Sequence, residues 1–81
     1  MEITIKFYNG LDKFIKNYDT KRGIVLNLNE SINIKSLISQ LFPKEILKSI
    51  GIVRVNKKIE DFSYKIKKGD FIEVFPLLGG G

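Results

Sequence analysis

Phe71-Ile72-Glu73-Val74-Phe75-Pro76-Leu77-Leu78-Gly79-Gly80-Gly81 closes the chain with a strand pattern that runs into three glycines. Phe71 to Phe75 is dense in aromatic and β-branched residues, which suit a pleated, half-buried surface. Pro76 lacks a backbone donor and ends the ladder. Ile72 and Val74 are expected to face a core, with Phe71, Glu73 and Phe75 on the opposite side. The five residues after Pro76 reach about 17 Å when extended. Glycine has no Cβ, so such a tail fits a slot too narrow for side chains.

The reactive group such a tail offers is the α-carboxylate of Gly81. A carboxylate is a poor acyl donor, but adenylation turns it into a mixed anhydride open to a sulfur or amine nucleophile. The competing reading is an idle, frayed end, the usual fate of chain termini. Composition weighs between them. The 81 residues contain no Cys, His or Trp. Thiol nucleophiles, Cys/His metal sites, Ser-His triads and disulfides are therefore excluded. If the chain handles sulfur, it must carry it elsewhere than on a thiol.

Hydrophobic residues make up 43% and charged residues 28%, as in an ordinary folded domain. At this length the core must be small and continuous. No apolar run approaches the roughly 18 residues of a membrane span, so a cytoplasmic protein without membrane contact is expected. The net charge of +5 favours acidic partners. Lys57, Lys58, Lys65, Lys67 and Lys68 are the densest basic run and read as a solvated face with at most a weak steering role. The other lysines are scattered and the aromatics suit a core, so nucleic acid is not an expected partner.

Working back from the tail, Ile3, Ile5 and Phe7 alternate with polar neighbours as a first strand. Leu11, Phe14, Ile15 and Tyr18 have the i, i+3, i+4, i+7 spacing of a short helix. Asp19 to Gly23 reads as a turn with Gly23 left-handed. Ile24, Leu26 and Leu28 alternate as a second strand, hairpinned to the first. Asn33 is positioned to cap the principal helix, whose Ile34, Leu37, Ile38 and Leu41 share one face. Pro43 ends that helix or opens a short one through Ile50, with Gly51 as its stop. Ile52 to Val55 suits a central strand, Asn56-Lys57-Lys58 a turn, and Ile59 starts an interrupted return segment. Phe62, Tyr64 and Ile66 read as extended or semi-regular, and Lys68-Gly69-Asp70 turns into the last strand. Strands, a helix, then strands make an α+β layout with one principal helix across a mixed sheet of four or five strands. Residues 1–76 form the domain and 77–81 a flexible tail. Asp12, Asp19, Glu30, Glu60 and Asp61 show no paired spacing for acid–base work.

Several stretches then coincide with one family. Ile5-Lys6-Phe7-Tyr8-Asn9-Gly10-Leu11, Val55-Asn56, Lys68-Gly69-Asp70, Val74-Phe75-Pro76 and Gly80-Gly81 stand in the order and spacing of the ubiquitin-like β-grasp sulfur carriers. The chain resembles the small subunit of molybdopterin synthase and the thiamin-biosynthesis sulfur carrier over nearly its whole length. The resemblance implies a β-grasp fold and a carrier, not an enzyme, monomeric when free. Gly81, preceded by Gly80, would be adenylated by an E1-like partner using ATP and converted to a thiocarboxylate. No cofactor would be bound by the carrier itself. The acceptor would be the molybdopterin synthase large subunit or thiazole synthase. Phe71, Phe75, Pro76, Leu77 and Leu78 would dock those partners, and Gly79 would add reach. Three glycines and Leu77-Leu78 depart from the molybdopterin branch; the aliphatic pair is closer to the thiamin branch. Length, the Leu11 to Tyr18 excursion and the Phe75-Pro76 exit favour molybdopterin. Small modifiers that attach to lysines share the same features.

Overall fold

The computed structural model describes residues 1–15, 18–19 and 21–77. Five strands form one sheet, β1 (Glu2–Phe7), β2 (Ile24–Asn27), β3 (Ile50–Val55), β4 (Lys58–Glu60) and β5 (Phe71–Pro76), in the order β2-β1-β5-β3-β4. β5, the last in sequence, is the central strand. It pairs parallel with β1 and antiparallel with β3, while β1 with β2 and β3 with β4 form antiparallel hairpins. The principal helix α1 (Ile34–Leu41) covers one face, followed by the one-turn α2 (Lys44–Leu47).

The alternation predicted for the strands is what packs this face. Ile3, Ile5 and Phe7 of β1, Val53 and Val55 of β3, and Ile72 and Val74 of β5 are buried against Ile34, Leu37 and Ile38 of α1, with Phe42 and Ile66 beside them. α1 starts where Asn33 Oδ1 accepts the Ser36 N–H at 2.8 Å, the expected cap. It stops at Phe42, which turns extended before Pro43. Pro43 does both things the sequence allowed, ending α1 and preceding α2.

The turns at Gly23 and Gly69 hold as read, while of Asn56-Lys57-Lys58 the last residue already belongs to β4. Gly23 is left-handed at φ 77° and Gly69 at φ 83°. Asn56 and Lys57, at φ 51° and 73°, close β3 onto β4 with the twist tight hairpins need. A buried carboxylate secures that end. Asp70 accepts from Asn56 Nδ2 and Tyr64 Oη, both at 2.9 Å, and from the Lys67 N–H at 2.8 Å. With its acceptor sites taken up by these bonds, this carboxylate is structural.

Three expectations are corrected. Among the described residues of the expected Leu11 to Tyr18 helix there is one 3-10 turn, Leu11–Phe14, and Ile15 is already extended. Its first flanking residue, Gly10, is left-handed and gives no side-chain cap. Only Leu11 is buried, and Phe14 is 51% exposed. Tyr18 instead reaches back with its hydroxyl to the Phe7 backbone, accepting the N–H at 2.7 Å. Next, Ile50 and Gly51 belong to β3 rather than to a helix, because Ile50 pairs with Pro76 of β5. Finally, β3 lies inside the sheet but is not central; β5 is. Leu78, Gly79, Gly80 and Gly81 lie outside the described residues.

Candidate functional site

The sheet face turned away from α1 carries Phe71, Glu73 and Phe75, as alternation along β5 requires. It is not simply a solvated face. Glu73 sits there only 2% exposed, because side chains from the neighbouring strands roof it over. From β3, Arg54 Nη2 lies 2.9 Å from Glu73 Oε1, and from the turn after β3, Lys57 Nζ lies 3.8 Å from the same oxygen. Just after β1, Tyr8 donates its hydroxyl to Oε2 at 2.6 Å. The Tyr8 ring stacks on Phe75 with centroids 4.6 Å apart and planes 7° from parallel. The Arg54 guanidinium also lies over the Phe75 ring at 5.2 Å, and Lys57 over Phe71 at 5.2 Å. Strand registers explain the meeting, since Lys6, Glu73 and Arg54 are direct cross-strand partners in one row.

Burial pushes the Glu73 carboxyl up, but the hydrogen bond from Tyr8 and the charges of Arg54 and Lys57 outweigh it and hold the group below its ordinary value. Tyr8 moves the other way. Donating to Glu73, then burial and the carboxylate's charge, push its phenol up to about 12. A raised folded pKa stabilises the fold below the unfolded value of 10.0 and loses that contribution as pH rises toward about 12. An ultraviolet phenolate titration should therefore show one of the three tyrosines ionising only near pH 12, and Glu73→Gln should return it toward its ordinary range.

Beside this network, an apolar groove of about 420 Å³ opens where β5 ends. Gly51, Ile52, Arg54, Ile59, Phe75, Pro76 and Leu77 line it. Ile52, Ile59 and Leu77 are 47%, 71% and 53% exposed, a concentration of free apolar surface at the root of the tail. Of the residues expected to dock a partner, Phe75, Pro76 and Leu77 are brought together here. Phe71 is half-buried on the same face but outside the groove, under Lys57. Leu78, Gly79, Gly80 and Gly81 lie outside the described residues.

Gly51, Ile52, Arg54 and Ile59 were not legible as groove residues. The run 52–55 reads as a largely apolar stretch suited to a central strand, which does not single out Ile52. The available signal was the period of two: with Val53 and Val55 inward, Ile52 and Arg54 must point outward. Among the described residues, no group of three His, Cys, Asp or Glu could hold a metal, and no helix is long and apolar enough to cross a membrane.

Similarity to known proteins agrees with this geometry. SAMP1 from Haloferax volcanii superposes with a TM-score of 0.67 at 15% identity, with both chains fully covered. A putative molybdopterin converting factor, subunit 1, from Pyrococcus furiosus gives 0.67 at 16% identity, covering 95% of this chain and 98% of that one. A chain of the complex of subunits 1 and 2 of the molybdopterin-converting factor from Helicobacter pylori gives 0.59 at 23% identity, again with full coverage of both. These likenesses establish the β-grasp fold. No curated protein matches the sequence. The family model described as Mut7-C ubiquitin matches residues 1–79, and the chain belongs to that family, a ubiquitin-like β-grasp domain as its strand and turn motifs foretold.

Proposed function

We propose that the protein is a sulfur carrier that serves molybdopterin biosynthesis as a cosubstrate, not as an enzyme. The observation that carries this reading is the groove at the end of β5, where Phe75, Pro76 and Leu77 form one wall at the root of a glycine tail. An E1-like partner docks on that face and receives the tail. A Gly81 carboxylate oxygen attacks the α-phosphorus of ATP and pyrophosphate leaves. A hydrosulfide-level nucleophile then attacks the acyl carbon, AMP departs with the bridging oxygen, and a thiocarboxylate remains. ATP and the sulfur source belong to the partner, and the carrier binds no cofactor.

The domain is residues 1–76 and the flexible tail 77–81, with Gly79 and Gly80 lending slimness and reach. The molybdopterin synthase large subunit is the proposed acceptor, supported by the likeness to a chain of the complex of subunits 1 and 2 of a molybdopterin-converting factor. The free carrier is a monomer of the cytoplasm. The groove is bordered by Arg54 and, farther along the face, Lys57 and Lys6, so an acidic rim suits the partner.

Intact mass spectrometry after incubation with ATP, a sulfur source and the E1-like enzyme tests this. The expected result is a mass gain of one sulfur for one oxygen, absent when Gly81 is deleted. No gain, with an enzyme active on another carrier, rejects the reading. Transfer to thiazole synthase would move it to the thiamin branch, and adducts on target lysines to a protein modifier.

A further inference from the structure

We infer that Gly51 is a positioning residue for the tail, a step that rests on the carrier reading above. Its φ does not lie in the left-handed region, so backbone conformation is not what the position requires of a glycine. Space is. A Cβ built at Gly51 would lie 3.0 Å from Leu77 Cα, 3.1 Å from the Pro76 carbonyl oxygen and 3.2 Å from Leu77 N. All three are backbone atoms, and carbon contacts prefer about 3.5 to 4.0 Å.

Two further features converge on the same point. The register between β3 and β5 shifts between Ile50 and Ile52, so Gly51 is the extra residue of a bulge facing the last pairs of β5. Bulges bend a strand, raise its twist and redirect the neighbouring chain. Past the bulge, Leu77 N–H donates to Ser49 O at 2.6 Å, one bond beyond the pairing of Ile50 with Pro76. The chain leaving the sheet is thus laid directly on a bare Cα and tied down on its far side. A methyl at Gly51 forces the backbone at Pro76 and Leu77 outward or breaks the Ser49 bond. Gly81 lies four residues on, so the position and direction of Leu77 set the region that the carboxylate can reach.

Docking uses side chains of the groove, whereas reaction needs the carboxylate in line with the α-phosphorus. A misaimed tail therefore lowers turnover more than apparent affinity. The variants to compare are Gly51→Ala and Gly69→Ala. Gly69 sits at the other end of β5 with open space around a built Cβ but φ 83°, so its alanine costs stability without touching the tail. Amide exchange by NMR and steady-state activation by the E1-like enzyme are both read.

Expected for Gly51→Ala is loss of the Leu77 amide's protection, with a kcat about 10- to 100-fold lower and a KM little changed. Gly69→Ala should keep both the protection and kcat. Full Leu77 protection in Gly51→Ala, an effect confined to KM, or an equal kcat loss in Gly69→Ala overturns the inference. If Gly51→Ala does not fold, Leu77→Pro removes the same N–H from outside the sheet. It should lower kcat relative to Leu77→Ala, and equality of the two overturns the inference. If the unaltered protein is not activated at all, the carrier reading fails, while the exchange data still decide whether Gly51 holds the exit.

Discussion

Replacing Arg54 by alanine is expected to lower stability by roughly 3 kcal/mol, the low end of the range for breaking one side of a buried pair. Glu73 is the reason. Its side chain is 3% exposed, whereas that of Arg54 is 35% exposed, so removing the arginine takes away the carboxylate's nearest cation and lets water in through the opened roof to solvate it only in part. The low end applies because Tyr8 still donates to Oε2 and Lys57 remains 3.8 Å away. Loss of the guanidinium from Phe75 adds about 0.5 to 1 kcal/mol.

The effect is asymmetric. Glu73→Leu frees a partly exposed guanidinium that water can solvate, so the double variant Arg54→Ala with Glu73→Leu should recover much of the loss. Urea denaturation of the three variants measures this, and an Arg54→Ala cost below about 1 kcal/mol would show that the pair does not hold the carboxylate. Acid titration supplies a second readout. The folded pKa of Glu73 is lowered, so its stabilisation is present above the ordinary value of 4.5 and is lost as pH falls through the lower folded value. Removing Arg54 shifts that loss to higher pH.

The other large effect belongs to the opposite face. Leu37→Ala should cost about 2 to 5 kcal/mol, since Leu37 is 1% exposed under the sheet and its loss leaves a cavity. For 81 residues, total stability is about 4 to 12 kcal/mol, so this single change brings the domain to the edge of unfolding. Phe14→Ala, at a 51% exposed ring that the spacing assigns to a helix face, should cost less than about 1 kcal/mol. Thermal melts of the pair separate the buried helix from the exposed turn. Similar costs for both would mean that Phe14 packs more tightly on Phe42 than their 6.3 Å centroid separation indicates.

Leu37 and Phe14 also mark what was legible in the sequence. Where apolar spacing comes with its own start signal, as with Asn33 before Ile34, the helix forms as read. Where the start is Gly10, the same spacing yields only a 3-10 turn, because no side chain satisfies the first N–H groups. The strands were legible from alternation, and so were the inward residues of β5. What alternation does not reveal is who sits opposite. Alternation places Glu73 on the outer face, yet its burial depends on Tyr8 and Arg54, which are 65 and 19 positions away and meet it only through sheet order. Gly51 misled for a related reason. Before the fold is known, a glycine after an apolar run reads as a helix stop, and only the pairing of Ile50 with Pro76 makes it a strand residue.

The place of β5 in the sheet bears on how the molecule assembles. The hairpins of β1 with β2 and of β3 with β4 are local, and either can begin to form from neighbouring sequence. Neither pairs with the other, because β5 lies between β1 and β3. Its parallel partner β1 is separated from it by almost the whole chain, as in Thr4 with Phe71, and such distant pairings are slow to form. Assembly therefore waits for the strand that bears the glycines. A chain cut short before Phe71 would leave two unjoined hairpins, so quality control over the fold and possession of the tail are coupled in a single segment.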